Sequence, residues 1–168
     1  MSDDQPRLLG VVVSSTRAAA GRREDLTGPR IAAWGRAHGF EVSGPHVVPD
    51  GPEVGEVLRR LVDQGCALVL TTGGTGFTDD DHTPEATAAL VDRPAPGIAE
   101  AIRARGLRTT PHAALSRGTA GISGHTLLVN LAGSTGAVRE GLEVLSEIVD
   151  HALEQLGHGR PHDRPLHA

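Results

Sequence analysis

Thr71-Thr72-Gly73-Gly74-Thr75-Gly76, with Asp79-Asp80-Asp81-His82-Thr83-Pro84-Glu85 close behind, is the stretch on which the reading of this chain turns. The apolar run Ala67-Leu68-Val69-Leu70 leads straight into it. An apolar strand, a small polar loop and a helix start together form the layout of a phosphate-binding turn. Glycine lacks a Cβ, so successive backbone N–H groups can close around an anion. The following helix would aim the positive end of its dipole at the same place. Carboxylates there cannot take a phosphate directly, but they can hold a Mg2+ that does. The loop has neither the G-x-x-x-x-G-K-[ST] spacing of a P-loop nor the G-x-G-x-x-G spacing of a dinucleotide site. The plain alternative is an ordinary strand-to-helix turn that uses glycine for its backbone angles.

Outward from this stretch, strands alternate with helices. Leu8-Leu9-Gly10-Val11-Val12-Val13 is apolar throughout, the pattern of a strand buried on both faces. Residues 14–25 read as a polar loop. Thr27-Gly28-Pro29 opens a helix with Thr27 as its cap, and that helix stops at Gly39. A strand lies within residues 40–48. Asp50-Gly51-Pro52-Glu53 reads as a helix start with Asp50 available as the cap. Val54, Val57, Leu58, Leu61 and Val62 then keep helical spacing as far as Gly65. Thr83, Pro84 and Glu85 read as the cap, first position and dipole partner of the next helix. Residues 92–97 form a Pro-rich break, 98–105 a helix, and 115–122 a strand paired in a hairpin with 126–130. Leu131-Ala132-Gly133-Ser134 is a second strand-to-loop turn. A long helix over 135–156 carries the apolar stripe Val138, Leu142, Leu145, Val149 and Leu153.

The chain has 168 residues and a mass of 17.4 kDa, which suits one domain, expected over residues 8–156. Residues 1–7 and 157–168 are expected to be disordered ends. Hydrophobic residues make up 38% but aromatics only 2%, so the core is built from aliphatic side chains, best buried by helices packed on a sheet. The expected fold is a three-layer α/β/α sandwich with a mainly parallel central sheet. Both glycine-bearing loops leave the carboxyl ends of strands, the rim where open α/β sheets bind ligands. A net charge of −5 and few aromatics exclude broad nucleic-acid binding. The single cysteine, Cys66, excludes an intrachain disulfide and reads as a buried thiol. No apolar run is long enough for a membrane span and no secretory signal is evident, so a soluble, cytoplasmic protein is expected. The histidines of the tail lack ligand spacing.

These residues resemble the MogA/MoaB family of molybdenum cofactor biosynthesis, the molybdopterin adenylyltransferases. The likeness runs over residues 8–156. Thr71-Thr72-Gly73-Gly74-Thr75-Gly76 with Asp81-x-Thr83-Pro84-Glu85 is similar to the family's TTGGTG and RD-x-TPEA. Asn130-Leu131-Ala132-Gly133-Ser134 with Ala137-Val138-Arg139-Glu140 is similar to NLPGS and AVRE. Weaker matches are Asp25-x-Thr27-Gly28-Pro29, Val48-Pro49-Asp50, Pro96-Gly97-Ile98 and Leu115-Ser116-Arg117-Gly118.

The resemblance implies transfer of AMP from ATP to the terminal phosphate of molybdopterin, with pyrophosphate released and Mg2+ required. It implies a homo-oligomer, trimer or hexamer, and a molybdenum-insertion protein as a possible partner. It makes Asp50 and Asp81 the catalytic and metal-binding candidates. Gly73, Gly74, Thr75, Gly76, Thr83, Glu85, Ser116, Arg117, Gly133 and Ser134 become candidates for substrate and nucleotide binding. The chain departs from the pattern at Asp79-Asp80, which stand where the family carries Pro-Arg, and at Ser15 and Ala132, which replace Asp and Pro. Exchanging a cation for carboxylates opens a second expectation: a catalytically silent carrier of pterin or nucleotide with the same fold.

Overall fold

A computed structural model describes residues 6–159. The expectations of disorder over 1–5 and 160–168 fall outside the described residues. The sheet has six strands: β1 (Arg7–Ser14), β2 (Phe40–Val48), β3 (Leu68–Thr72), β4 (Arg93–Pro94), β5 (Ala120–Ser123) and β6 (Thr126–Leu131). Their order is β2-β1-β3-β6-β5-β4. The first four are mutually parallel, and β6-β5-β4 continue antiparallel. The helices are α1 (Thr16–Ala19), α2 (Thr27–Ala37), α3 (Pro52–Asp63), α4 (Thr83–Ala88), α5 (Pro96–Leu107) and α6 (Thr135–Gln155), with a 3-10 helix over Pro111–Leu115.

The sheet is buried on both faces, which is why β1, β3 and β6 carry continuous apolar runs. On one face α2 and α6 pack Ile31, Val138, Leu142, Leu145, Val149 and Leu153 against Leu9, Val11, Leu68, Leu70 and Val129. On the other, α3 sets Val54, Val57, Leu58 and Leu61 against Val12, Val69 and Leu128, with Ala86 and Leu90 beside them. This is the expected three-layer sandwich, and the stripe of the last helix faces the sheet.

Several local expectations are corrected. Arg7 is not part of a disordered end: it starts β1, is buried, and pairs with Asp150 at 2.8 Å. Residues 157–159 are described as well, and His158 folds back to bond the Leu153 and His125 carbonyls. The loop expected over 14–25 contains α1, capped by Ser15. Thr27 lies inside α2 and caps nothing; the Asp25 carboxylate accepts from the Thr27 and Gly28 amides instead. Asp50 likewise does not cap α3, which starts after Gly51 without a side-chain cap. Thr83 starts α4 rather than capping it. The break over 92–97 holds β4, and α5 begins earlier, at Pro96. The strand expected over 115–122 is the end of the 3-10 helix, a loop at 116–119, and β5.

Candidate active site

The order β2-β1-β3 means that the chain leaves β1 towards one edge for β2 and then crosses to the other side for β3. Such a reversal opens a crevice at the carboxyl ends of the two strands. The β3 and β6 loops meet there. Gly73 and Gly74 have φ of +88° and +66°, a left-handed backbone that side chains disfavour. A Cβ on Gly73 would collide with the Ser14 carbonyl, and one on Gly74 with the Thr83 hydroxyl. Gly133 comes so close that a Cβ there would lie 3.2 Å from Gly73 Cα. Two glycine backbones therefore touch where the loops cross.

A cavity of about 620 Å3 lies on one side of this crossing, walled by the Gly73–Gly76 loop, α5, the 3-10 helix and the start of α6. A second, of about 320 Å3, lies on the other side, between the end of β1, the 23–27 segment and the start of α6. Gly73, Gly133 and Ser134 line both. Ser134 caps α6, its hydroxyl accepting from the Ala137 amide at 3.1 Å. Within the described residues the N–H groups of Gly74, Thr75, Gly76, Thr135 and Gly136 make no hydrogen bond. They remain as donors, and those of α6 carry the positive end of its dipole.

Not every expected site residue reaches a cavity. Gly73, Gly74, Thr75, Gly76, Asp81, Ser116, Gly133 and Ser134 line the larger one. Thr83, Glu85, Arg117 and Asp50 line neither. Thr83 is buried, and its hydroxyl lies beside Gly74 without a hydrogen-bond partner. Asp81 Oδ2 accepts from the Thr78 amide and hydroxyl at 3.0 and 2.8 Å, while Oδ1 has no hydrogen bond. Asp50 is fully engaged: Oδ1 accepts from Ser14 Oγ at 2.5 Å, and Oδ2 from the Thr16 amide and hydroxyl at 3.2 and 3.1 Å. It pins the end of β1, and the start of α1, to the end of β2.

Arg117 does something the sequence did not suggest. Its Nε donates to the Gly76 carbonyl at 2.8 Å, Nη2 to the Asp81 carbonyl at 2.6 Å, and Nη1 to the Glu85 carboxylate. Its own amide donates to the Thr75 carbonyl at 2.9 Å. The guanidinium clamps the loop. The hydrogen bond from Arg117 is also the main reason that the Glu85 carboxyl is held below its usual pKa. Asp79 and Asp80 are exposed and lie outside both cavities.

Residues 10–151 match the protein family described as "Probable molybdopterin binding domain". The chain belongs to this molybdopterin-binding family. It is similar to the molybdopterin adenylyltransferase of Haemophilus influenzae, 40% identical over 139 residues, which is 80% of this chain and 71% of that protein. Molybdenum cofactor synthesis protein cinnamon of Drosophila melanogaster is 39% identical over 125 residues, and the match spans only 21% of that longer protein. Among solved structures, the molybdopterin biosynthesis Mog protein of Mycobacterium ulcerans superposes with a TM-score of 0.87 at 45% identity, covering 91% of this chain and 98% of that one.

In this member of the molybdopterin-binding family, Arg103 and Glu140 are lining residues that went unassigned in the sequence. Arg103 lines the larger cavity and holds its rim, donating to the Ser116 and Gly118 carbonyls at 3.2 and 2.7 Å. Glu140, which lies within the quoted Ala137-Val138-Arg139-Glu140 match, is buried in the wall, and the Thr109 hydroxyl donates to it. Nothing in the helical spacing marks Glu140, because its burial comes from the segment after α5 folding over it.

Proposed function

We propose that the protein transfers an adenylyl group from ATP to the terminal phosphate of molybdopterin, giving adenylyl-molybdopterin and pyrophosphate. One observation carries this reading: two cavities share Gly73, Gly133 and Ser134, so ligands bound on either side abut there. The named activity of the Haemophilus influenzae relative supports the same chemistry. An oxygen of the molybdopterin phosphate attacks the α-phosphorus of ATP. The bond from that phosphorus to its bridging oxygen breaks, and pyrophosphate leaves with the electron pair. Such a step asks mainly for alignment and for neutralisation of charge. The unengaged amides of Gly74, Thr75, Gly76, Thr135 and Gly136 supply donors for the crowded phosphate oxygens.

Mg2+ fits this donor set as the companion of ATP. Among the described residues no three His, Cys, Asp or Glu side chains gather into an ion site. Mg2+ commonly takes one or two carboxylates together with substrate phosphates. Asp81, with Oδ1 unengaged, is the residue that would share it, and the ion would neutralise phosphate charge. Asp50, with both oxygens engaged, holds the crevice in shape.

A silent carrier of pterin or nucleotide is the second reading. It is favoured by the exposed Asp79-Asp80 pair, which adds negative charge beside a site for anions. A single-turnover assay with molybdopterin, ATP and Mg2+ decides between the two. Adenylylated pterin and pyrophosphate from the wild type, with a loss of at least about a hundredfold in Asp81→Asn, is the outcome expected of the transferase. Pterin bound without product would leave the carrier. The resemblance further supports a homo-oligomer, trimer or hexamer, which sedimentation would count, together with a molybdenum-insertion partner and a cytoplasmic location. Among the described residues no helix is long and apolar enough to cross a membrane.

A further inference from the structure

Glu140 presents an unsolved problem in the larger cavity. The residue is 7% exposed, yet among the described residues its one side-chain hydrogen bond is that which Oε1 accepts from the Thr109 hydroxyl. The nearest cation, Arg139, also approaches Oε1, at 3.8 Å, and is itself largely exposed. Oε2 has no hydrogen-bond donor among the described residues. Oε2 keeps contact with the open cavity and offers it an unengaged acceptor, where polar groups in a protein wall are normally satisfied. Gly106 is the close neighbour of this wall: a Cβ there would lie 2.8 Å from Ala113 Cβ and at ordinary contact distance, 3.7 Å, from Oε2. The same cavity is lined by Ala99, Ile102, Ala113, Leu115 and Ala137, apolar surface on which a ring can pack.

We propose that Glu140 is the specificity residue for the pterin ring, its carboxylate accepting from the 2-amino group and N3–H side by side. The assignment rests on the adenylyl-transfer reading for its choice of ligand. An ionised carboxylate only accepts hydrogen bonds, so it matches an edge with two adjacent donors. A 2-amino-4-oxopteridine has such an edge. Adenine does not: its amino group is flanked by acceptors, so a carboxylate meets one donor and a repelling lone pair. Guanine shares the pterin edge, and the test must separate the two.

The test is a binding comparison on the purified protein, read by pterin fluorescence or calorimetry. The probes are pterin-6-carboxylate, lumazine-6-carboxylate, in which an oxo group replaces the 2-amino group, and GTP. The wild type should prefer the pterin over the lumazine by about tenfold or more, because a site built to hydrogen-bond rejects an analogue lacking the donor. Glu140→Gln, an isostere that turns one acceptor into a donor, should bring that ratio to within about threefold while ATP binding persists. Thr109→Val, which leaves both carboxylate oxygens in place, should keep the preference. Equal binding of pterin and lumazine by the wild type would overturn the proposal without any variant having to fold. So would an unchanged ratio in Glu140→Gln, or GTP displacing the pterin as the tighter ligand. Pterin preference without adenylylated product would sink the transferase and leave this assignment standing. Product formed by a protein indifferent to the 2-amino group would do the reverse.

Discussion

Arg117 shows how much of a glycine loop one side chain can hold in place. Three of its side-chain nitrogens serve Gly76, Asp81 and Glu85, and the planar fork suits acceptors spread along one loop. Arg117→Ala strands the Gly76 and Asp81 carbonyls. Urea denaturation should show a loss of about 1–3 kcal/mol, and Arg117→Lys should recover only part of it. The pH dependence has a definite sign. The folded state holds Glu85 below its usual pKa, so its contribution is present at neutral pH and down to the ordinary glutamate value of about 4.3. It is lost as the pH falls through the lowered value. The stability gap between wild type and Glu85→Gln should therefore close in acid, by a small amount because Glu85 is largely exposed. The glycines of the loop were legible because a left-handed backbone leaves its mark in residue type. The Arg117 clamp was not, because two of its side-chain acceptors are backbone carbonyls, which leave none.

At the scale of elements, legibility followed length. The strand β3 and the helix α6 cover enough periods for burial to print a pattern, and all five residues of the expected α6 stripe are in the core. Leu145, fully buried midway along it, should cost about 2–5 kcal/mol when replaced by alanine, measured as a shift in the denaturation midpoint at unchanged slope. The short pieces were misread for a physical reason. The strand β4 has two residues and α1 four, fewer than a pattern needs. Caps were misplaced where the side chain had a better partner than the nearest helix. Asp50 bonds Ser14 and Thr16 across the sheet edge, and Asp25 reaches the amides of Thr27 and Gly28 from outside α2. Glycine-rich 115–122 mimics a strand in composition, yet only its second half pairs.

The whole molecule is a sheet sealed on both faces, and Cys66 reports on that seal. It is 1% exposed at the foot of β3, and burial pushes its pKa up to about 11. At pH 8 the native thiol is both protonated and shielded, so iodoacetamide should label it only in molecules that have opened. Labelling in urea should then follow the loss of circular dichroism with a coincident midpoint. Modification of the folded protein at the rate of a free thiol would mean that the segment entering β3 opens by itself. The layered architecture was readable from the alternation of elements, but the strand order was not, because sequence spacing does not say on which side of β1 the chain returns. That order creates the crevice at the ends of β1 and β3. There Gly133 stands against Gly73 with no side chain between them. The partition between the two chambers is thus mostly main chain, with the Ser134 side chain as its one ornament among the residues lining both. Evolution, or an engineer, can retune either chamber from its outer wall, but the seam between the chambers has to be inherited nearly intact.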